Sequence, residues 1–429
     1  MGQSPVGVPT AHFFHCRQSG GETIQEANGL DNMVEDRYNN LSAELKLLLL
    51  CCQPICEPEA IDYLLVSPLD WQQFVHLAVH HRMYPLVYKT LSTMSSPAVP
   101  EEVLALLLLE NRKNTTKTLQ MTGELVKLLR NMEQRGIRAV VLKGFPLAYQ
   151  LYDDITLRPS KDLDILVWPQ DIEAARAVMA ERGYELTHPN FTLTPLRLQN
   201  WLKTSHHFEY WQPEEEICVE LHWRLGHNAV EIPLAEIEES LAIIRIAGQA
   251  VYIPGSEQML LYLILHGAQH AWFRLRWLCD IAIIFRQGNF SWEKAVGLAE
   301  KLNMRTLFNQ AVLLSLQLLN APIPAHIISS AVQDRTAQQL AATAITFIAE
   351  PGYNPEELSI NKRLYYLMKR YEWELQSGWK CKYSSLLHKL RPKDLDISLV
   401  SLPEPLYYLY YVIRPVAWLC RRVREVAGK

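Results

Sequence analysis

What the chain lacks narrows its class: it has no excess of positive charge, no cysteine framework and, in its apolar tail, no run of membrane-spanning length. With 42 Lys and Arg against 46 Asp and Glu it carries a formal charge of −4, which argues against a general nucleic-acid binder. Its eight cysteines, at 16, 51, 52, 56, 218, 279, 381 and 420, follow no repeating spacing. A disulfide scaffold is therefore excluded, and a reducing, cytoplasmic setting is expected. Cys52 and Cys56 lack the second pair that a four-ligand zinc site needs. No signal-peptide pattern opens the sequence, and Val6 stands where N-myristoylation needs Ser or Thr. The tail segment from Leu406 to Cys420 is broken by Arg414 and Pro415 and falls short of the roughly 20 residues of a span.

What is present is a chain of 429 residues, 49% of them apolar, enough to bury a sizeable core in two or three domains. Residues 1–32 are Gly, Ser, Pro and Gln rich without periodicity and are expected to be poorly ordered. Met33, just before the first periodic segment, is an alternative start. Residues 33–130 read as helical, including a long amphipathic stretch after Pro100 whose Glu101 and Glu102 suit the helix dipole. Here His80 and His81 read as packing or surface residues rather than ligands. A core is expected at 131–235, a helical domain at 236–350, and a basic, aromatic-rich region at 351–429. From Ser359 onward there are 14 Lys and Arg against six Asp and Glu. The aromatic helix there, followed by Arg421, Arg422 and Arg424, suits a membrane surface, a protein partner or the chain's own core.

The sharpest feature lies between Gly136 and Val167. Ile137 to Leu142 is a short β-branched apolar run that suits a buried strand. A Lys143-Gly144 turn and a helix over Phe145–Tyr152 follow, then a polar connection with Arg158, Pro159 and Ser160, then the strand Asp162-Leu163-Asp164-Ile165-Leu166-Val167. Strand alternation puts Asp162 and Asp164 on one face and Leu163 and Ile165 on the other. Two adjacent carboxylates repel unless a cation sits between them, so the pair favours a hard divalent ion, magnesium first. A two-metal site needs a third carboxylate. Glu220, at the centre of the alternating strand Ile217–Trp223, supplies it. Further on, a helix starting at Pro169 and stopped by Gly183 leads into a strand at Tyr184, and the alternation points to a mixed α/β core. Leu202–Trp211 reads as another strand, in which His206 and His207 face opposite ways.

A strand ending in Lys-Gly, a helix, an Arg, then Asp-Leu-Asp-Ile-Leu-Val and later Glu-Leu-His-Trp resembles the uncharacterised nucleotidyltransferase family of the DNA polymerase β-like superfamily. The likeness covers roughly residues 40 to 285, including the helical stretch from Leu265 to Ile281. It implies a small mixed-sheet α/β (α+β) core flanked by N- and C-terminal helical regions. It also implies transfer of a nucleoside monophosphate from a nucleoside triphosphate to an acceptor, with release of pyrophosphate. Asp162, Asp164 and Glu220 would hold Mg2+, or Mn2+ in its place. The superfamily's Gly-Gly or Gly-Ser turn is replaced by Lys143-Gly144 with a longer gap to the acids. Lys143 is thus expected to take over part of the phosphate cradling as a point charge. Gly144 would admit phosphates to the backbone, Arg158 would clamp them, and Ser160 would donate a hydrogen bond.

His207, His222, His266, His270 and Asp280 are candidates for the acceptor side. His266 and His270, four apart, share one helix face; without the Glu of a zinc-protease motif they read as an interdomain polar contact. Asp280, an acid in an apolar helix, needs a partner, and Arg274 and Arg276 are the nearest in sequence. Two other classes stay open: a nucleotide-binding or interaction scaffold without catalysis, and a metallohydrolase using His222, His266, His270 and Glu220. The acceptor itself is not specified by the fold.

Overall fold

A computed structural model of the chain describes residues 40–53, 58–227, 230–350, 352, 361–376, 382–383, 402 and 404–415. The segment 1–32, Met33, Cys56 and the tail residues Arg421, Arg422 and Arg424 lie outside the described residues.

Among the described residues five helices come first: α1 (Ala43–Cys51), α2 (Pro58–Leu65), α3 (Trp71–His80), α4 (Tyr84–Met94) and the 34-residue α5 (Glu101–Gln134). The side chains of Ser42 and Asp70 accept from the backbone N–H groups of Leu45 and Gln73, capping α1 and α3. The acid motif follows, with β1 (Ala139–Val141), α6 (Phe145–Tyr152) and β2 (Asp162–Val167) in the expected order. Next come α7 (Ile172–Glu181), β3 (Glu185–His188), α8 (Pro195–Thr204), β4 (His207–Gln212) and β5 (Ile217–His222). The stretch expected as one strand from Leu202 to Trp211 therefore divides, because Thr194 and Pro195 start a helix that runs to Thr204.

A two-stranded ribbon, β6 (Leu225–His227) with β7 (Val230–Ile232), and a short α9 (Leu234–Glu238) lead to β8 (Ala242–Ile246) and β9 (Gln249–Ile253). This last pair completes the main sheet from residues beyond the expected end of the core at 235. The sheet has seven strands in the order β3-β4-β5-β2-β1-β9-β8. β2 runs parallel to β5 and β1 parallel to β9, with the other neighbours antiparallel. Helices α10 (Ser256–Gln269), α11 (Leu275–Gln287), α12 (Trp292–Lys301), α13 (Arg305–Leu319), α14 (Ala325–Gln333), α15 (Arg335–Ala349) and α16 (Lys362–Glu374) follow. Among the described residues no helix is long and apolar enough to cross a membrane.

The sheet separates two cores. Leu163, Ile165 and Val167 of β2, Val219 and Leu221 of β5 and Phe208 of β4 pack with Met121, Leu125 and Leu128 of α5 and with Ile172, Ala175 and Val178 of α7. The opposite face, carrying Val140 and Leu166, packs into a larger core built from α1 to α4 and α10 to α16. Asp162 and Asp164 lie on that second face, so the acids sit under the helices. Across the first core, the buried Glu124 of α5 takes a bidentate hydrogen bond from Arg182 at 2.7 and 2.9 Å and one from the Tyr184 hydroxyl at 3.3 Å. In the tail, Tyr410 is fully buried against Phe191, Leu196, Leu402 and Ile413. Its hydroxyl accepts from Leu402 N at 2.9 Å, and Arg197 of α8 donates to the Leu402 carbonyl. This part of the tail docks on the chain's own core.

The turn between α10 and α11 depends on one glycine. Ala271 and Trp272 both have positive φ, and the ring of the buried Trp272 covers Gly267, where an added Cβ would meet it at 2.4 Å. Gly267→Ala is expected to cost about 1–3 kcal/mol by forcing the indole out of its seat. Urea denaturation measures this, and an unchanged midpoint would mean the turn relaxes freely.

Candidate active site: an acid face under a basic roof

Register on the sheet assembles the acids. β2 and β5 pair with Asp162 opposite Cys218 and Asp164 opposite Glu220, and β4 adds Glu209 opposite Glu220 and His207 opposite His222. Directly paired residues share a face, so Asp162, Asp164, Glu220, His222, His207 and Glu209 form one polar band. The apolar alternation of each strand, driven into the core beneath, leaves these side chains no other face.

Such a concentration of carboxylate is held by two cations of the chain itself. Lys143 Nζ lies 3.0 Å from Asp164 Oδ1, with both groups buried. His222 Nε2 lies 3.3 Å from Asp164 Oδ1 and 3.1 Å from Glu220 Oε2. Burial pulls the Lys143 pKa down, but the Asp164 carboxylate, with Tyr262, Asp162 and Glu220, more than reverses this and raises it. Likewise burial opposes a charged His222, yet its hydrogen bonds to Asp164 and Glu220 push it up to about 9. Glu220 is raised by burial, but His222 and Lys143 outweigh this and bring it down to about 2. At neutral pH Lys143 and His222 are thus cations and Glu220 an anion. The sequence had placed His222 on the acceptor side; it lies between the acids because β5 carries Glu220 and His222 two apart on one face.

The roof is basic. Arg82, in the turn between α3 and α4 at φ 57°, is brought to the site because His81 Nδ1 accepts the first N–H of α11, from Leu275, at 3.2 Å. Burial and Arg274 lower the Arg82 pKa to about 10, against the pull of Asp162. Among the described residues its guanidinium has no hydrogen-bond partner. Arg276 donates to the Pro159 carbonyl, and its pKa is lowered by burial and by Arg158 and Arg82. Sequence reasoning passed over Arg82; the signal was the polar triple His80-His81-Arg82 between two apolar helices.

Arg158 is committed elsewhere than expected. Its Nε donates to both oxygens of Asp280, at 3.1 and 2.9 Å, and its Nη2 lies 2.9 Å from Oδ2, with both side chains buried. The Tyr152 hydroxyl completes the set at 3.1 Å from Asp280 Oδ1. The partner of Asp280 is therefore Arg158 and neither Arg274 nor Arg276, because α11 presents Asp280 to the loop after α6. Ser160 donates to the Asp162 carbonyl at 3.1 Å, and Gly144 opens α6 at φ 80° with Ser160 Oγ nearby. His266 of α10 and His270, which caps that helix, have rings 4.8 Å apart and tilted; at 5.2 Å Trp277 stacks on His270 and meets His266 edge-on. Burial, then Lys143, lowers both, His270 to about 4, so they are neutral. His206 does not point away from His207: β4 begins only at His207, and the two rings meet at 4.3 Å.

Two groups of three potential metal ligands exist among the described residues. One is Asp164, Glu220 and His222 and the other is His206, His207 and His222, each with ligand atoms within 4.8 Å of one another. His266 and His270 belong to neither. The buried Asp164 Oδ2 has no hydrogen-bond partner, and an orphaned carboxylate oxygen beside a second carboxylate fits a divalent cation.

A mixed sheet flanked by helices, with acids on adjacent strands beneath a cationic roof, is a nucleotidyltransferase-type arrangement. Residues 67–320, more than half of the chain, match the uncharacterised nucleotidyltransferase family, and the chain belongs to it. No curated protein matches the chain.

Breaking the buried Arg158–Asp280 pair from one side leaves an uncompensated charge. Asp280→Ala is expected to destabilise by about 3–5 kcal/mol, whereas Arg158→Met combined with Asp280→Leu recovers most of it. Chemical denaturation of the three proteins is the test; a single variant as stable as wild type would show that the pair is not what holds α11.

Proposed function

We propose that the chain is a metal-dependent nucleotidyltransferase that moves a nucleoside monophosphate from a nucleoside triphosphate to a hydroxyl-bearing acceptor. The observation that carries this reading is the Asp164–Glu220 register on parallel strands, with Asp162 on the same face and Arg82 above it. Asp162, Asp164 and Glu220 would hold Mg2+, or Mn2+ in its place. The bound ion supplies neutralisation of phosphate charge and activation of the attacking oxygen.

The chain's own residues do the rest. Arg82, lacking a hydrogen-bond partner in the described residues, takes a phosphate oxygen of the triphosphate. Lys143, 3.0 Å from Asp164, would neutralise the departing pyrophosphate. Gly144 lets the chain approach the phosphates where a Cβ would intrude. Glu220, ionised at neutral pH, receives the acceptor's proton as its oxygen bonds to the α-phosphorus and the bond to the β-phosphate oxygen breaks. Arg158 and Asp280 fix α11 and so place Arg274 and Arg276 over the site. This reading keeps Arg158 away from the phosphates, where the sequence had put it.

Calorimetric titration of the four triphosphates with magnesium tests the reading. One of them should bind the wild type, the combined Asp162→Asn and Asp164→Asn variant should lose that binding, and Arg82→Ala should weaken it about 10- to 100-fold, the worth of a charged hydrogen bond. Binding without transfer to any acceptor would favour a nucleotide-binding scaffold. Absence of binding by the wild type to every triphosphate would sink the proposal.

A further inference from the structure

The polar band continues past the acids into a cluster that oxygen-coordinated magnesium does not need. Beyond Glu220 the same face carries His222 and, across β4, His207, with His206 folded in from the bend before the strand. The rings of His206 and His222 are 6.0 Å apart, those of His207 and His222 5.2 Å, and those of His206 and His207 4.3 Å. Imidazole nitrogens are borderline ligands that select zinc-class ions over magnesium.

We propose that His206, His207 and His222 bind one zinc-class transition-metal ion, at a site adjacent to the carboxylate site and sharing His222 with it. The three donor atoms lie within 4.8 Å of one another, and small side-chain rotations close this to the roughly 3.3 Å edge of a tetrahedron with zinc–nitrogen bonds of about 2.0 Å. The surroundings have the form of a metal-binding histidine shell. Glu209 Oε1 lies 3.3 Å from His207 Nε2, while His207 Nδ1 is buried without a hydrogen-bond partner. A carboxylate on one ring nitrogen orients the ring and raises the basicity of the other, which is the usual support of a metal-ligating histidine. Asp164 and Glu220 do the same for His222 through Nε2, and the ion takes the place of the Nδ1 proton, which is released to solvent on binding. Three protein ligands leave a fourth position for water or a ligand oxygen, as in zinc sites that act on substrates rather than brace a fold.

The site is tested without nucleotide, so its failure leaves the transferase reading intact. The full chain, stripped with a chelator and dialysed, is titrated with Co2+ and followed by visible absorption. One equivalent should give the intense bands of a tetrahedral cobalt site, displaced by one equivalent of Zn2+ and not by excess Mg2+. His206→Ala and His207→Gln should each weaken binding at least 10-fold while their circular dichroism and thermal midpoints show that they fold, and Asp162→Asn should bind as wild type does. Absence of bands in the wild type, bands undiminished in both histidine variants, or bands lost in Asp162→Asn would overturn the proposal.

Discussion

The structure depends on one pairing: two parallel strands that bring a second carboxylate level with the first. Parallel register sets Asp164 beside Glu220 in a place closed to water on one side by the sheet's apolar face. Carboxylates so close are tolerable only with positive charge at hand, and the chain supplies it from two directions, Lys143 at the end of β1 and His222 on β5 itself. Lys143 and His222 are thus the chain's own counter-charges to the acids, both set against Asp164 Oδ1, while Asp164 Oδ2 keeps no hydrogen-bond partner.

Everything above the sheet serves to hold further charge over that band. α11 is fixed at its first turn by His81 and deeper down by the Arg158–Asp280 pair with Tyr152. These contacts link the N-terminal helices, the loop after α6 and the C-terminal helices around one element. Arg82, Arg274 and Arg276 are carried with it. The Arg276 and Arg82 pKa values are lowered first by burial and then by neighbouring guanidinium groups, against the partly compensating pull of Asp162 and Asp280.

The strands, the helix between them and the three acids were legible because their signals are local: alternation in Asp162–Val167 and Ile217–His222, Gly144 at the head of a helix, Gly183 at the end of one. What could not be read was pairing at a distance. That Asp280 would meet Arg158 rather than Arg274 or Arg276 depends on where α11 lies against the loop after α6. That Arg82 belongs to the site depends on an N–H taken by His81 from a helix almost 200 residues away. Thr194 and Pro195 were a visible helix start, yet the apolar alternation after Leu202 masked where that helix ended. The bend at His206 followed from the misplaced boundary, and with it went the three-histidine cluster.

The position of β1 has a consequence for how such a sheet can be made. β1 lies between β2 and β9, pairing Val140 with Leu166 on one side and with Tyr252 on the other. The second partner leaves the ribosome only after the whole acid-bearing segment has been synthesised. Until then β1 presents an open hydrogen-bonding edge, and closing the loop from β1 to β9 carries the entropy of a long separation. The negatively charged band is therefore flanked by an unfinished sheet for much of synthesis, and the Ala242–Ile253 hairpin acts as the closing piece that seals the edge and commits the chain to one topology.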